Sequence, residues 1–446
     1  MDKPRARRVN PGFFLRLFDA CSGVFVELFD PRLLTVSIAA LMAYCTLFTQ
    51  RKFPGRWMEY IALGMALVAI VAMAARTPDM RRRVRWYSAM PALWFTLHGW
   101  MLLSGFFYED WLPESLALLV AFPFLFAVFT ARDDRHTLYA VARGAVFGIL
   151  PFLAWSYLAK PLVFGYPGWY GVFYNANGLA MCANMFTACA SLLCYAAWQQ
   201  GHKRAAIGYG ALFLVGSLTV ALTLSRSAWV AYAGAMLLLL GCILLRRTRR
   251  LGRVIALLVA LVLVAGGALT YVTLLKVRRV AEEDWASALR LDAIMHWGIN
   301  EVPPDQRTLT GSDFSSDRTA IWKQALTHLT WNGHPTAVVE EWVALDGGMR
   351  RLNAHNAFVA VAYNNGWPAG LLFLGYVALS AYRAWLYYWR HRKAQPMAIA
   401  PLLLTVLFIL ESLFESVYAP FSVVGCTYLL IQGVLWRENP AQEEEA

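Results

Sequence analysis

Long apolar runs alternate with short basic clusters along this chain. Runs long enough to cross a bilayer, about 17–25 residues each, fall near 33–49, 57–75, 86–104, 114–130, 138–158, 176–198, 205–222, 228–245, 254–274, 356–389, 397–414 and 417–436. The pattern predicts an all-α polytopic membrane protein with about twelve transmembrane helices. One long polar interval interrupts it. The expected division is a cytoplasmic or interfacial segment 1–32, helices 1–9 over 33–274, an extracytoplasmic loop 275–354, helices 10–12 over 355–436, and a cytoplasmic tail 437–446. Within the loop, Ser315 or Ser316 reads as the N-cap of a helix running from Asp317 to Leu326. Ile321, Ala325 and Leu329 form its apolar stripe, joined by Trp322 and Leu326.

Composition agrees with a membrane protein. The 446 residues are 59% hydrophobic and 15% charged, with mean hydropathy +0.46. The net charge of +12 comes from clusters between apolar runs, so it reads as cytoplasmic anchoring and not as a nucleic-acid surface. Arg76 with Arg81, Arg82, Arg83 and Arg85 is one cluster. Arg132 and Arg135, Lys203 and Arg204, Arg246 to Arg253, and Arg390 to Lys393 follow. All fall on one side of the predicted bundle, together with the N-terminus. Arg51, Lys52 and Arg56 disagree, and the amphipathic segment Phe13–Phe29 before them is expected at the interface. No removable signal peptide is expected after the basic start. The seven cysteines lack CxxC spacing and read as small packing residues.

Four polar patches fall on the side opposite the basic clusters. Gly171 to Ala180 places Asn175 and Asn177 before an apolar helix, where they serve either as caps or as sugar or phosphate contacts. Ser225-Arg226-Ser227 puts a guanidinium at or near membrane depth, where it needs a partner, and arginine suits phosphate. Asp317-Arg318 opens the loop helix. Ala354-His355-Asn356-Ala357-Phe358 places an imidazole, able to act as a base near neutral pH, at the start of another apolar run. Glu411 and Glu415 are intramembrane carboxylates one turn apart, for which pairing with an arginine is the expected role. Asp313 and Asp317 read as helix caps and not as a metal pair.

Taken in order, these patches resemble the O-antigen ligase and polymerase superfamily of bacterial envelope glycosyltransferases. Gly171 to Ala180 matches G-x-F/Y-x-N-x-N-x-L-A, and Ser225 to Trp229 matches S-R-S/G-x-W. Ser316, Arg318, Trp322, Ala325 and Leu326 match S-x-R-x-x-x-W-x-x-A-L. His334-Pro335, then Ala354 to Phe358 as A-H-N-x-F/Y, then Gly366 and Gly370 complete the series. The family's G-x-G turn after His-Pro is missing; Thr336 to Glu341 stand there. The resemblance covers about residues 165–375.

That resemblance implies transfer of a glycan from undecaprenyl diphosphate to a hydroxyl acceptor, most simply lipid A–core. The alternative is a polymerase joining glycan repeats, and a polytopic transporter stands further off. It implies a multi-pass protein of the bacterial inner membrane working on its periplasmic face, with no metal, cofactor or nucleic acid. The expected catalytic residues are His355, Arg226 and Arg318. The two arginines, with Asn175, Asn177 and Asn356, are expected to bind the donor diphosphate, and the apolar spans its lipid.

Overall fold

The computed structural model describes residues 31–49, 88–108, 115, 117–123, 134–159, 169–173, 175–223, 225–247, 318–334, 344–345, 348–349, 354–419 and 421–436. The expected spans at 57–75 and 254–274, the segment Phe13–Phe29 and most of the loop 275–354 lie outside them.

The described residues are helical apart from a two-residue antiparallel ladder, β1 (Ala344–Leu345) with β2 (Gly348–Met349). The helices are α1 (Pro31–Thr49), α2 (Ala89–Tyr108), α3 (Asp134–Ala159), α4 (Ala176–Gln199), α5 (Lys203–Leu222), α6 (Arg226–Arg247), α7 (Arg318–Thr327), α8 (Ala357–Asn365), α9 (Trp367–His391), α10 (Ala400–Ser412) and α11 (Val423–Leu435). Five of them, α3, α4, α5, α6 and α9, are long and apolar enough to cross a membrane; shorter apolar helices lie in α1, α10 and α11. A π-helical turn at Ala117–Ala121 occupies part of the expected span 114–130.

α4 is the central helix. It packs on α3, α5, α6, α10 and α11. Its sequence explains this position: Gly178, Ala180, Ala183, Ala188 and Ala190 are buried and small, so neighbouring backbones approach closely. In lipid, where apolar burial alone does not bring helices together, such residues let dispersion contacts and interhelical hydrogen bonds hold the bundle.

α9 runs along the perimeter. Trp367, Leu371, Leu374, Tyr382, Trp385 and Trp389 are exposed on one stripe, while Phe373, Tyr376, Val377, Ser380, Ala384 and Tyr388 are buried opposite. Trp367 and Trp389 stand about 33 Å apart along the helix axis, close to the thickness of a hydrocarbon core with tryptophan at each interface. At the inner face, Tyr376 and Ser380 donate to Gln432 Oε1 of α11 at 2.9 and 3.1 Å.

The run 356–389, expected as one span, is two helices. α8 ends at Gly366, whose φ of +90° lies in the region that favours glycine. The corner receives the segment after α7. Gly333, also left-handed at φ +86°, lies against the backbone of Asn364 and Asn365, and Gly366 against the Trp331 carbonyl. Backbone bonds from His334 N to Asn364 O and from Trp367 N to Thr330 O, 3.2 and 3.0 Å, lock the two together. Any side chain at either glycine would strike its partner's main chain. His334 completes this clasp, stacking on Tyr363 at 4.2 Å.

Candidate functional site

The motif residues gather at one end of the bundle, and each does so from the start of a helix. Asn175 is the N-cap of α4, its side chain accepting from Gly178 N at 2.7 Å. Asn177 is the second residue of that helix. Ser225 precedes α6 and Arg226 opens it. Arg318 opens α7. His355 stands just before Asn356, the N-cap of α8. Each helix N-terminus presents a positive dipole end, which favours a nearby anion.

Glu415, three residues past the end of α10, ties them together. Its Oε1 accepts from Arg318 at 2.9 Å and from Asn177 Nδ2 at 2.8 Å. Its Oε2 lies 3.0 Å from His355 Nδ1. Asn177 Oδ1 in turn accepts the Ser225 hydroxyl at 2.9 Å, and the Ser225 and Ser227 hydroxyls are 3.1 Å apart. Thus Arg318, His355 and Asn177 meet on one carboxylate, while Arg226, half-buried, follows Ser225 in the chain. The side chains of Arg318 and Glu415 are only 14% and 10% exposed, so the pair is shielded from bulk water. His355 is more open at 36%.

The geometry defines the histidine's chemistry. A carboxylate facing Nδ1 makes that nitrogen the donor, which leaves Nε2 as the basic one. The ring is held by an unusual backbone. His355 is the one non-glycine residue with positive φ, +46°, among the described residues. Such a conformation costs about 1–3 kcal/mol and persists where neighbours over-determine it. Here they do. Trp322 Nε1 holds the Ala354 carbonyl at 2.8 Å on one side. On the other, Asn356 Oδ1 accepts from Phe358 N and Val359 N, at 3.0 and 3.1 Å, while its Nδ2 donates to Leu413 O at 3.2 Å. Asn356 therefore spends its hydrogen-bonding capacity on the cap, and Asn177 on Glu415 and Ser225. Of the three asparagines, Asn175 alone is exposed.

Sequence reasoning singled out both intramembrane glutamates. Glu415 has the expected arginine partner, but the spacing did not reveal that it also holds the histidine and an asparagine. Glu411 has a different partner. It is 1% exposed and accepts from Asn184 Nδ2 at 2.6 Å; that amide also reaches Ala228 O of α6 at 3.0 Å. Asn184 lies two turns below Asn177 on α4. The two amides and two carboxylates make a pair of rungs between α4 and α10.

The opposite end of the bundle carries basic residues. Arg246 at the end of α6 donates to Tyr195 OH and to Lys393 O, 3.0 and 3.2 Å away. Arg392 lies 3.4 Å over the Trp389 ring.

Apolar helices of spanning length, with a polar site at one end and basic residues at the other, define a helical membrane protein. Residues 211–374 match the family model for O-antigen ligase, which supports the O-antigen ligase superfamily and a ligase- or polymerase-type glycosyltransferase. The matched segment contains Arg226, Arg318 and His355, whereas Asn177 and Glu415 lie outside it. No curated protein matches the chain.

Proposed function

We propose that the protein is an extracytoplasmic-face glycosyltransferase. It moves a glycan from undecaprenyl diphosphate to a hydroxyl acceptor, with lipid A–core as the first-choice acceptor and undecaprenyl diphosphate released. The meeting of Arg318, His355 and Asn177 on Glu415, ringed by helix N-termini, carries this reading.

In this scheme His355 Nε2 takes the proton of the accepting hydroxyl as its oxygen bonds to the anomeric carbon. The bond from that carbon to the diphosphate oxygen breaks, and the electron pair leaves with the diphosphate. Attack opposite the leaving group inverts the carbon. Glu415 orients the imidazole through Nδ1 and offsets the charge the ring acquires. It also neutralises part of Arg318, so the diphosphate meets the remaining N–H groups of Arg318, the Arg226 guanidinium and the helix N-termini. Two guanidinium groups supply the positive charge for which other transferases use a divalent cation. The lipid chain lies along the apolar spans and positions the sugar.

The site faces the periplasm in this reading, because the basic end of the bundle takes the cytoplasmic side. A transporter would place its polar groups near the middle of the membrane, between its halves. Here Arg318, His355 and Glu415 collect at one end.

The test uses purified protein with a polyprenyl-diphosphate glycan, either with lipid A–core or without added acceptor. One adduct in the presence of lipid A–core supports the ligase. A ladder formed without it makes the protein a polymerase. No product in either case overturns the transferase reading.

A further inference from the structure

A cavity of about 140 Å³ opens beside the site, between α2, the π-helical turn, α8 and the segment following Glu415. We propose that it binds an uncharged sugar residue of the glycan being transferred or extended. This rests on the transferase reading above and gives the site a place for sugar, separate from the place for diphosphate.

The position comes first. Ala357, Ala360, Val361 and Asn364 line the cavity at i, i+3, i+4 and i+7, so it follows one face of α8 for about 10 Å. It begins two residues from His355, and Ser416 of its wall is next to Glu415. Val359 and Tyr363, on the other face of α8, pack with Trp322 and Ala325 of the arginine-bearing helix α7. The cavity therefore lies across α8 from Arg318.

The wall decides the chemistry. Among the described residues no charged side chain lines it, so these offer nothing to a diphosphate. Its wall is largely apolar but carries several polar side chains. Ser115, Asn364, Asn365, Ser416 and Tyr418 face it, interleaved with Met101, Leu118 and alanines. The backbone carbonyls of Asn364 and Asn365 are engaged by His334 N and Trp100 Nε1, but their side-chain amides bond to nothing among the described residues. A hydrocarbon chain would leave those amides unpaired, at a cost of about 1–3 kcal/mol each. Sugar hydroxyls would satisfy them while the ring's C–H faces meet the aliphatic wall.

Tyr418 is held ready for such a ligand. His98, fully buried in α2, has Nδ1 2.9 Å from the Trp94 carbonyl, so Nδ1 donates. Its Nε2, 2.6 Å from the tyrosine oxygen, then accepts the Tyr418 proton. The tyrosine oxygen keeps its lone pairs for a donor in the cavity. His98 is a positioning residue in this scheme.

The test measures binding to full-length protein in lipid nanodiscs by calorimetry, with farnesyl diphosphate, farnesyl diphospho-N-acetylglucosamine and free chitobiose as probes. Ala419→Phe fills the cavity. The double variant Asn364→Leu/Asn365→Leu keeps its size and removes its amides, which guards against a misfolded first variant. Each is expected to weaken a sugar-bearing probe about tenfold or more while leaving bare farnesyl diphosphate within about twofold. Loss with the diphosphate-linked sugar alone assigns the cavity to the donor glycan; loss with chitobiose assigns it to the accepting one. Equal weakening of farnesyl diphosphate makes the cavity a lipid channel and overturns the proposal, as does unchanged affinity for all probes. Wild-type protein that binds neither diphosphate probe removes the transferase reading and this proposal with it.

Discussion

At the scale of single residues, the site is a carboxylate-centred relay whose members depend on one another. In the proposed mechanism, removing His355 deletes the base. Removing Glu415 leaves the base present but unoriented, with Arg318 unpaired in a shielded place. His355→Ala is therefore expected to lower the transfer rate about 10²–10⁴-fold. Glu415→Ala should lower it comparably, and the double variant little further, because residues acting as a unit are not additive. Multiplying losses would separate their roles. Arg318→Lys makes a sharper distinction. Lysine can still pair with Glu415, so folding should survive, but it lacks the guanidinium fork for phosphate. Donor binding should fall about tenfold, and full rescue would reduce Arg318 to a point charge. Much of this site was legible in the sequence. His355, Arg318, Arg226 and Asn177 lie in short motifs at the starts of apolar runs. The hub was not: Glu415 is 97 residues from Arg318 and 60 from His355 in sequence. No local spacing carries a contact over that distance, so the carboxylate could be flagged for its depth but not assigned its histidine.

At the scale of elements, the two rungs between α4 and α10 do different work. The upper one, Asn177–Glu415, belongs to the site. The lower one, Asn184–Glu411, is buried in the bundle and also reaches the α6 backbone, so it fixes the register of three helices. Asn184→Leu is expected to lower stability by about 1–3 kcal/mol or more, since it strands a buried carboxyl group. Adding Glu411→Leu should recover most of that loss, because the double change removes both partners at once. Thermal unfolding of the single and double variants checks this; a double variant no more stable than Asn184→Leu would deny the coupling. The periodicity of apolar residues located most of the helices described. It failed where α8 meets α9, because the apolar runs on either side were joined across Asn364-Asn365-Gly366-Trp367-Pro368, whose amides, glycine and proline mark the corner. Gly366 breaks the helix by its backbone conformation, and its partner Gly333 comes from a loop that no pattern in 356–389 could reveal.

At the scale of the whole molecule, the bundle is polar in its ends and not in its halves. Arg318, His355 and Glu415 mark one end; Lys203, Arg246 and Lys393 mark the other. In the orientation proposed above, basic residues remain on the cytoplasmic side because moving them across the membrane is disfavoured, and the other end meets the lipid-linked donor outside. The sequence yields the same orientation from its charge clusters alone. The total of about twelve spans is a matter of summed apolar length, and it extends over residues 57–75 and 254–274, outside those described. Orientation can be measured without that total. Thr319 in α7 and Lys203 at the start of α5 are both exposed, at opposite ends of the bundle. In a background with the seven native cysteines replaced, a membrane-impermeant maleimide applied to intact cells should label Thr319→Cys and spare Lys203→Cys, with both labelled after lysis. The reverse pattern would put the site in the cytoplasm. A base, two guanidinium groups and a sugar cavity would then face the compartment where the glycan is not displayed, and transfer onto an outer-leaflet acceptor would be physically impossible.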